Sequence, residues 1–236
     1  MKHLFYSILI VSLCLLFGCA SEAEQEAFDK IEAYYKADVS WAKGFNTVAG
    51  EQTQKYISID VKNSQAVNNI GHKIVAPHVA VLLFENTPAE DMEKYTHVKV
   101  NIFEQSDDGA EATHSATFPL EVIKKAAEQK SQVTQATLNL IAKSPDSLYD
   151  MLRDEFRNEE QQVKFTNYFN QMLEERGSIT KTNVVGIDAK VDTKTNERLL
   201  EYTALVNWGN LEDPSLFRAT VYEEPSKQGL FSFHLQ

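Results

Sequence analysis

Arg198-Leu199-Leu200-Glu201-Tyr202-Thr203-Ala204-Leu205-Val206-Asn207-Trp208, followed by Leu216-Phe217-Arg218-Ala219-Thr220-Val221-Tyr222-Glu223, is the stretch on which the fold turns. Side chains along a strand point alternately to opposite faces, so Tyr202, Ala204, Val206 and Trp208 share one face of the first run, and Phe217, Ala219 and Val221 share one face of the second. The segment Gly209 to Pro214 turns between them. Lys181 to Val191 and Gly229 to Leu235 are further strands, joined through the turns Asp192 to Asn196 and Pro225 to Gln228, and the last carries Phe231, Phe233 and Leu235 inward. Ahead of the strands stand two helical segments: Ser147 to Phe156, with the stripe Leu148, Leu152 and Phe156, and Glu159 to Arg176, with Phe165, Phe169 and Leu173. Gly177 is the C-terminal cap of the second. Helices followed by a run of strands define an α+β class, with helices packed on antiparallel sheet.

Ser144-Pro145-Asp146 breaks a long helix that opens at Pro119 and carries Val122, Ile123, Ala126, Val133, Ala136, Leu138, Leu140 and Ile141. This break is the boundary between two subdomains, residues 19–143 and 144–236, although the long helix fits either half. Within the first, Lys55 to Lys62 alternates with Ile57, Ile59 and Val61 on one side, as a strand does. Tyr95 to Phe103 alternates likewise, and Asp107-Asp108-Gly109 marks a hairpin. Pairing centred on Gly109 sets Ile102 against Ala116, Val100 against Phe118 and Val98 against Leu120, whereas a one-residue shift would face Ile102 with Ser115. Between the strands, Ser64 to Phe84 reads as helix on both sides of a kink or break at Pro77, with Val79 to Phe84 also readable as a buried strand. At the front, Ser21-Glu22-Ala23-Glu24 has capping-box spacing, and Phe28, Ile31, Tyr35, Val39, Ala42 and Phe45 step by three or four, which predicts a helix from about 21 to 47. The acidic start of that helix either holds or frays into a short tether.

Residues 1–18 have a basic start, Met1-Lys2-His3, then an apolar stretch from Leu4 to Phe17, the pattern of a secretory signal. About 14 residues of helix cover roughly 21 Å, short of the roughly 30 Å hydrocarbon core. The run ends at Leu16-Phe17-Gly18-Cys19-Ala20, which resembles the bacterial lipobox; Phe17 departs from the small or β-branched residue usual at its place. The resemblance implies cleavage before Cys19 and lipid on its sulfur, so that the protein contacts a membrane through that residue. Two or three acyl chains make such anchoring firm, since one alone binds reversibly. Ala20, where lipoproteins kept in the inner membrane carry Asp, favours the outer membrane by the same resemblance. Cys14 and Cys19 are the two cysteines, so the body beyond Cys19 has no disulfide, cysteine nucleophile or thiolate metal site. The full 236-residue chain carries a formal charge of −11, which repels phosphate backbones and excludes nucleic acid as an expected partner.

The phrase Leu148-Tyr149-Asp150-Met151-Leu152-Arg153-Asp154-Glu155-Phe156, then Phe165 to Gly177 and Val184-Val185-Gly186-Ile187, resembles nuclear-transport-factor-two-like, cystatin-like domains of bacterial envelope lipoproteins over about residues 145 to 236. The resemblance implies a curved sheet wrapped on N-terminal helices, with Tyr202, Trp208, Phe217 and Phe233 as candidate cavity residues for a ligand. The inward faces carry neither paired carboxylates nor a histidine dyad, so no catalytic residues are assigned. G-x-S-x-G, G-x-x-x-x-G-K-[ST] and G-x-G-x-x-G are absent. His72 and His78 would point about 120° apart on a helix. The hairpin register sets His97 against Glu121 and His114 against Glu104, keeping the two histidines apart. No metal or other cofactor is expected from these spacings. Tyr34, Tyr35, Trp41 and Phe45 fall at helical spacing and read mostly as core. The expected function is a non-enzymatic binding module of the envelope for a partner protein or small apolar ligand. The alternatives are a hydrolase or lyase using a C-terminal cavity, and a structural component of an envelope assembly.

Overall fold

The computed structural model describes residues 20–47, 53–105 and 111–236. Cys19 and Asp107-Asp108-Gly109 lie outside them. The described residues form an α+β protein with two four-stranded sheets, and the chain divides into two compact units. The first holds the described residues up to His72 together with Val79–Leu120, and the second holds Lys73–His78 together with Glu121–Gln236. The long helix thus groups with the C-terminal strands.

In the first unit, α1 (Glu22–Tyr35) begins at the reciprocal cap that the sequence implied: Ser21 accepts from the Glu24 N–H, and Glu24 accepts from the Ser21 N–H. Ala27, Phe28, Ile31 and Tyr35 form its buried stripe. The helix stops at Lys36, which adopts the left-handed conformation (φ 47°), so the expected continuation to residue 47 is corrected. Asp38–Asn46 is instead strand β1, paired antiparallel with β2 (Gln54–Lys62) from Asp38 opposite Lys62 to Asn46 opposite Gln54. The three-residue spacing of Val39, Ala42 and Phe45 was coincidental: Val39 and Trp41 are half-buried on one face, and Phe45 is 74% exposed.

β2 buries Ile57, Ile59 and Val61, and β3 (His97–Gln105) buries Val98, Val100 and Ile102 beside them in parallel register. Parallel neighbours need a crossover of a dozen residues or more, usually helical. That crossover is α2 (Gln65–Ile70), α3 (His72–Asn86) and α4 (Ala89–Met92). α3 is helical on both sides of Pro77 without a break there, and the break between α2 and α3 falls at Gly71, whose φ of 93° favours glycine. Residues 79–84 are helix. Their continuous apolar run suited either structure because the helix is buried on all sides, with Val79, Ala80, Val81, Leu82 and Leu83 all enclosed.

β4 (Glu111–Pro119) pairs antiparallel with β3. The faces coincide as expected, but the register is two residues away: Ile102 faces His114, Val100 faces Ala116 and Val98 faces Phe118. Alternation forbids a one-residue slip because it would turn the apolar face to solvent, yet a two-residue slip preserves the faces.

The second unit contains α5 (Leu120–Ile141), α6 (Pro145–Tyr149), α7 (Glu159–Arg176) and the antiparallel sheet β5-β6-β7-β8, formed by Ile179–Val191, Arg198–Trp208, Ser215–Tyr222 and Leu230–Leu235. α5 buries Ile123, Ala126, Val133, Ala136 and Leu140, while Leu138 and Ile141 are exposed. The expected helix Ser147 to Phe156 is shorter, because Leu152 bridges Leu230 and the backbone of residues 151 and 153 bonds to Leu230 instead of continuing the helix. β5 has an irregularity between Val184 and Gly186, of the kind that bends a strand. A Cβ on Gly186 would stand 2.0 Å from Ile74 Cγ2 and 3.2 Å from the Ile74 carbonyl oxygen.

Glu24 is 1% exposed, yet it is a carboxylate fully supplied with donors: Ser21 N–H at 2.7 Å, Lys43 Nζ at 2.8 Å and Tyr95 hydroxyl at 2.6 Å. Burial pushes its pKa up, but the Lys43 and Tyr95 hydrogen bonds outweigh this and hold it below the ordinary 4.5. A carboxylate with a lowered folded pKa contributes stability above the unfolded value and loses it as pH falls through the folded one. Glu24→Gln should therefore cost about 1–3 kcal/mol at neutral pH and flatten the fall in melting temperature below about pH 4.5, both read from pH-dependent thermal melts. Gly186→Ala should cost about 1–3 kcal/mol through overpacking. Part of that loss should return in the double variant with Ile74→Ala; an unrelieved double variant would show that Ile74 is not the obstacle.

Candidate functional site

Two places gather polar or aromatic groups beyond what the core needs. The first lies in the second unit. Tyr202 and Phe217 are fully buried and Trp208 is 3% exposed. The Tyr202 hydroxyl donates to the Ala126 carbonyl on α5. Phe233 is half-buried, its ring 4.8 Å from Phe165, 6.3 Å from Tyr149 and 6.4 Å from Phe217, centre to centre. These four candidates for a ligand cavity thus stand within packed side chains, and one of them closes a helix-to-sheet hydrogen bond.

The open space of this unit lies elsewhere. A cleft of about 640 Å³ is lined by Gln132, the 150–157 segment and the β7–β8 turn. A second, of about 530 Å³, is lined by Phe156, the β5–β6 turn, Tyr222 and Phe231, and both include Arg153, Glu155 and Lys227. The Arg153 guanidinium and Lys227 ammonium stand 4.9 and 4.8 Å from the centre of the Tyr222 ring. Phe231 packs at 4.8 Å on Phe156. Arg153 and Lys227 thus cover the face of a buried ring at the edge of open space, with Phe156 and Phe231 half-buried beside it, a mixture of charge and ring surface suited to contact with protein or ring-bearing ligands. The strand pattern placed Phe231 inward; the irregularity between Thr220 and Val221 changes the pairing there, so Phe231 reaches the cleft.

The second place belongs to the first unit. The inward column of β3 runs Val98, Val100, Ile102 and then Glu104, and that of β4 runs Phe118, Ala116 and then His114, so both columns turn polar at the same end of the sheet. His72, the first residue of α3, meets them. Its backbone N–H donates to Glu104 Oε1 at 3.1 Å, and its Nδ1 lies 3.1 Å from the same oxygen. His114 Nε2 lies 3.3 Å from Glu104 Oε2. The two imidazoles stack with centres 3.6 Å apart and planes 3° from parallel. Gly71 has no side chain to cap α3, and Glu104 takes that role from a neighbouring strand, where the partial positive charge of the helix start favours a carboxylate.

The sequence reading set His114 beside Glu104 by direct pairing; they touch diagonally, since Glu104 faces Ala112. His72 had no such signal, because its approach depends on the crossover. His97 bonds to the Thr96 hydroxyl at 2.8 Å, and His234 is exposed on β8. His78 is buried, and burial first, with the Lys130 charge second, holds its pKa well below 6.5, so it is neutral at physiological pH. Of the aromatic group expected in the core, Tyr35 is buried, whereas Tyr34 is 38% exposed, and Trp41 is half-buried with its ring stacked on Phe28 at 5.4 Å.

No protein-family model, curated protein or solved structure matches the chain. Phe217→Ala should lower stability by about 3–5 kcal/mol, the cost of an emptied aromatic position in a closed core. Denaturant unfolding measures it, and a loss well under about 1 kcal/mol would mean that the ring borders open space instead.

Proposed function

We propose that this chain is a lipid-anchored protein of the bacterial cell envelope, cut before Cys19 and held to the outer membrane, whose α+β body binds a partner protein or a small apolar ligand rather than catalysing a reaction. The observation that carries the reading is Leu16-Phe17-Gly18-Cys19 at the end of an apolar run with a basic start. No helix among the described residues is long and apolar enough to cross a membrane. Ser21, two residues beyond Cys19, already caps α1 and donates its hydroxyl to Asp91, so the order of the body begins almost at the proposed anchor. The acidic charge disfavours adsorption to anionic head groups, which leaves the acyl chains to hold the protein.

The binding role is supported by the paired clefts around Arg153 and Lys227, where mixed charge beside the half-buried rings of Phe156 and Phe231 suits a protein partner. The second unit is proposed to be of the nuclear-transport-factor-two-like kind, on its order of helices followed by four antiparallel strands. In that unit the strand faces proposed to enclose a ligand hold Tyr202, Phe217 and Trp208 buried, which turns attention from its interior to its surface.

Cells expressing the native chain or Cys19→Ser, grown with labelled fatty acid and then fractionated, test the anchor. The native chain should carry label and sediment with outer membranes, and Cys19→Ser should lose both. Label and membrane retention that persist in Cys19→Ser would defeat the reading.

A further inference from the structure

We propose that His72, Glu104 and His114 bind a divalent transition-metal ion of the zinc class, a property independent of lipid anchoring and of the clefts in the second unit. The ligand atoms, one from each residue, all lie within 4.8 Å of one another. Zinc holds nitrogen at about 2.0–2.1 Å and carboxylate oxygen at about 2.0–2.2 Å, which in a tetrahedron separates neighbouring ligand atoms by roughly 3.3–3.5 Å. His72 Nδ1 to Glu104 Oε1 is 3.1 Å, close to such an edge, and His114 Nε2 lies 3.3 Å from the other carboxylate oxygen, Oε2, so with Glu104 bound through one oxygen the second imidazole must turn toward it.

Capping of α3 accounts for one contact, from the His72 N–H to the carboxylate. It does not require two imidazoles, from a helix and a strand, each with a ring nitrogen directed at a different oxygen of that carboxylate. Two imidazole nitrogens with one carboxylate suit zinc and its transition-metal neighbours, whereas calcium and magnesium prefer six or more oxygens. The backbone bond to Oε1 also orients the carboxylate, as hydrogen bonds around a metal's ligands commonly do. Because the rings are parallel, their nitrogen lone pairs run side by side, and a shared ion requires the imidazoles to fan apart. The side chains of His72 and His114 are 28% and 36% exposed, which leaves room for that rotation and lets ions enter from solvent. Three protein ligands leave the fourth tetrahedral position to water.

The full chain, purified in detergent without a histidine tag and stripped with chelator, should take up a single zinc ion in calorimetric titration. The ring resonances of His72 and His114 should shift together while those of His97 and His234 stay. His114→Gln removes a ligand without touching the α3 cap and should weaken zinc binding by about tenfold or more, while His97→Gln binds as the native chain does. Zinc should also raise the melting temperature of the native chain and leave that of His114→Gln little changed. Equal zinc affinity in His114→Gln and the native chain, or native binding no tighter than that of the double variant His72→Gln/His114→Gln, would overturn the proposal.

Discussion

Parallel strands cannot be joined by a tight turn, and the first unit is built around that constraint. β2 and β3 lie side by side with Ile57, Ile59 and Val61 level with Val98, Val100 and Ile102, so the chain must leave the end of β2 and return to the start of β3. The return is helical because backbone polar groups leaving the sheet must still be paired. It delivers the start of α3 to the polar end of the sheet, where Gly71 turns the chain and the first N–H of the helix finds Glu104. The cluster of His72, Glu104 and His114 is thus a consequence of topology: 32 residues separate the first two in sequence, and the crossover removes that distance.

The two carboxylates that organise the first unit are treated differently by their surroundings. Glu24 is enclosed, and its oxygens receive a hydroxyl, an ammonium and a backbone N–H, so its charge is balanced and its donors are committed. Glu104 is a quarter exposed and shares its oxygens between a helix N–H and two imidazoles, side chains that can donate or accept. Enclosure with a full set of donors makes a structural anchor for α1, β1 and the Tyr95 segment. Partial exposure with exchangeable partners leaves Glu104 open to a competing cation.

How legible each part was in the sequence follows from how local its pairing is. In the second unit every strand pairs with its sequence neighbour, so alternation and turn residues sufficed: Arg198–Trp208 and Glu159–Arg176 have the expected boundaries, and the buried columns of β6 and β7 hold the residues assigned to them. The first unit includes one distant pairing, β2 with β3 across the crossover, and its local pairs carry weaker signals. The spacing of the β1 segment suggests helix because three-residue steps are ambiguous over so short a stretch, and the sequence between it and β2 carries no strong hairpin motif. The β3–β4 register slipped by two because apolar alternation has a period of two and carries no information about even shifts. For the same reason His114 was placed beside Glu104 while His72, brought there by the crossover, had no sequence signal. Phe231 was misplaced by the β7–β8 irregularity, which strict alternation cannot anticipate.

On the proposed anchored reading, the spacing between Cys19 and Ser21 limits how the body can meet a membrane. Two residues of extended chain span at most about 7 Å, which is comparable to the roughly 8 Å Debye length at physiological ionic strength. A chain with a formal charge of −11 held at such range is repelled by anionic head groups while its lipid holds it down. Glu22, Glu24 and Glu26 lie at this near end, and among the described residues Glu24 is paired with Lys43. The capping box and the Ser21 hydroxyl bond to Asp91 resist unwinding of the first turn, which would otherwise lengthen the tether and relieve the repulsion. On that reading the stability of the cap would set the height at which the body stands above the bilayer, and the same hydrogen bonds that begin the fold would determine how its surfaces are presented there.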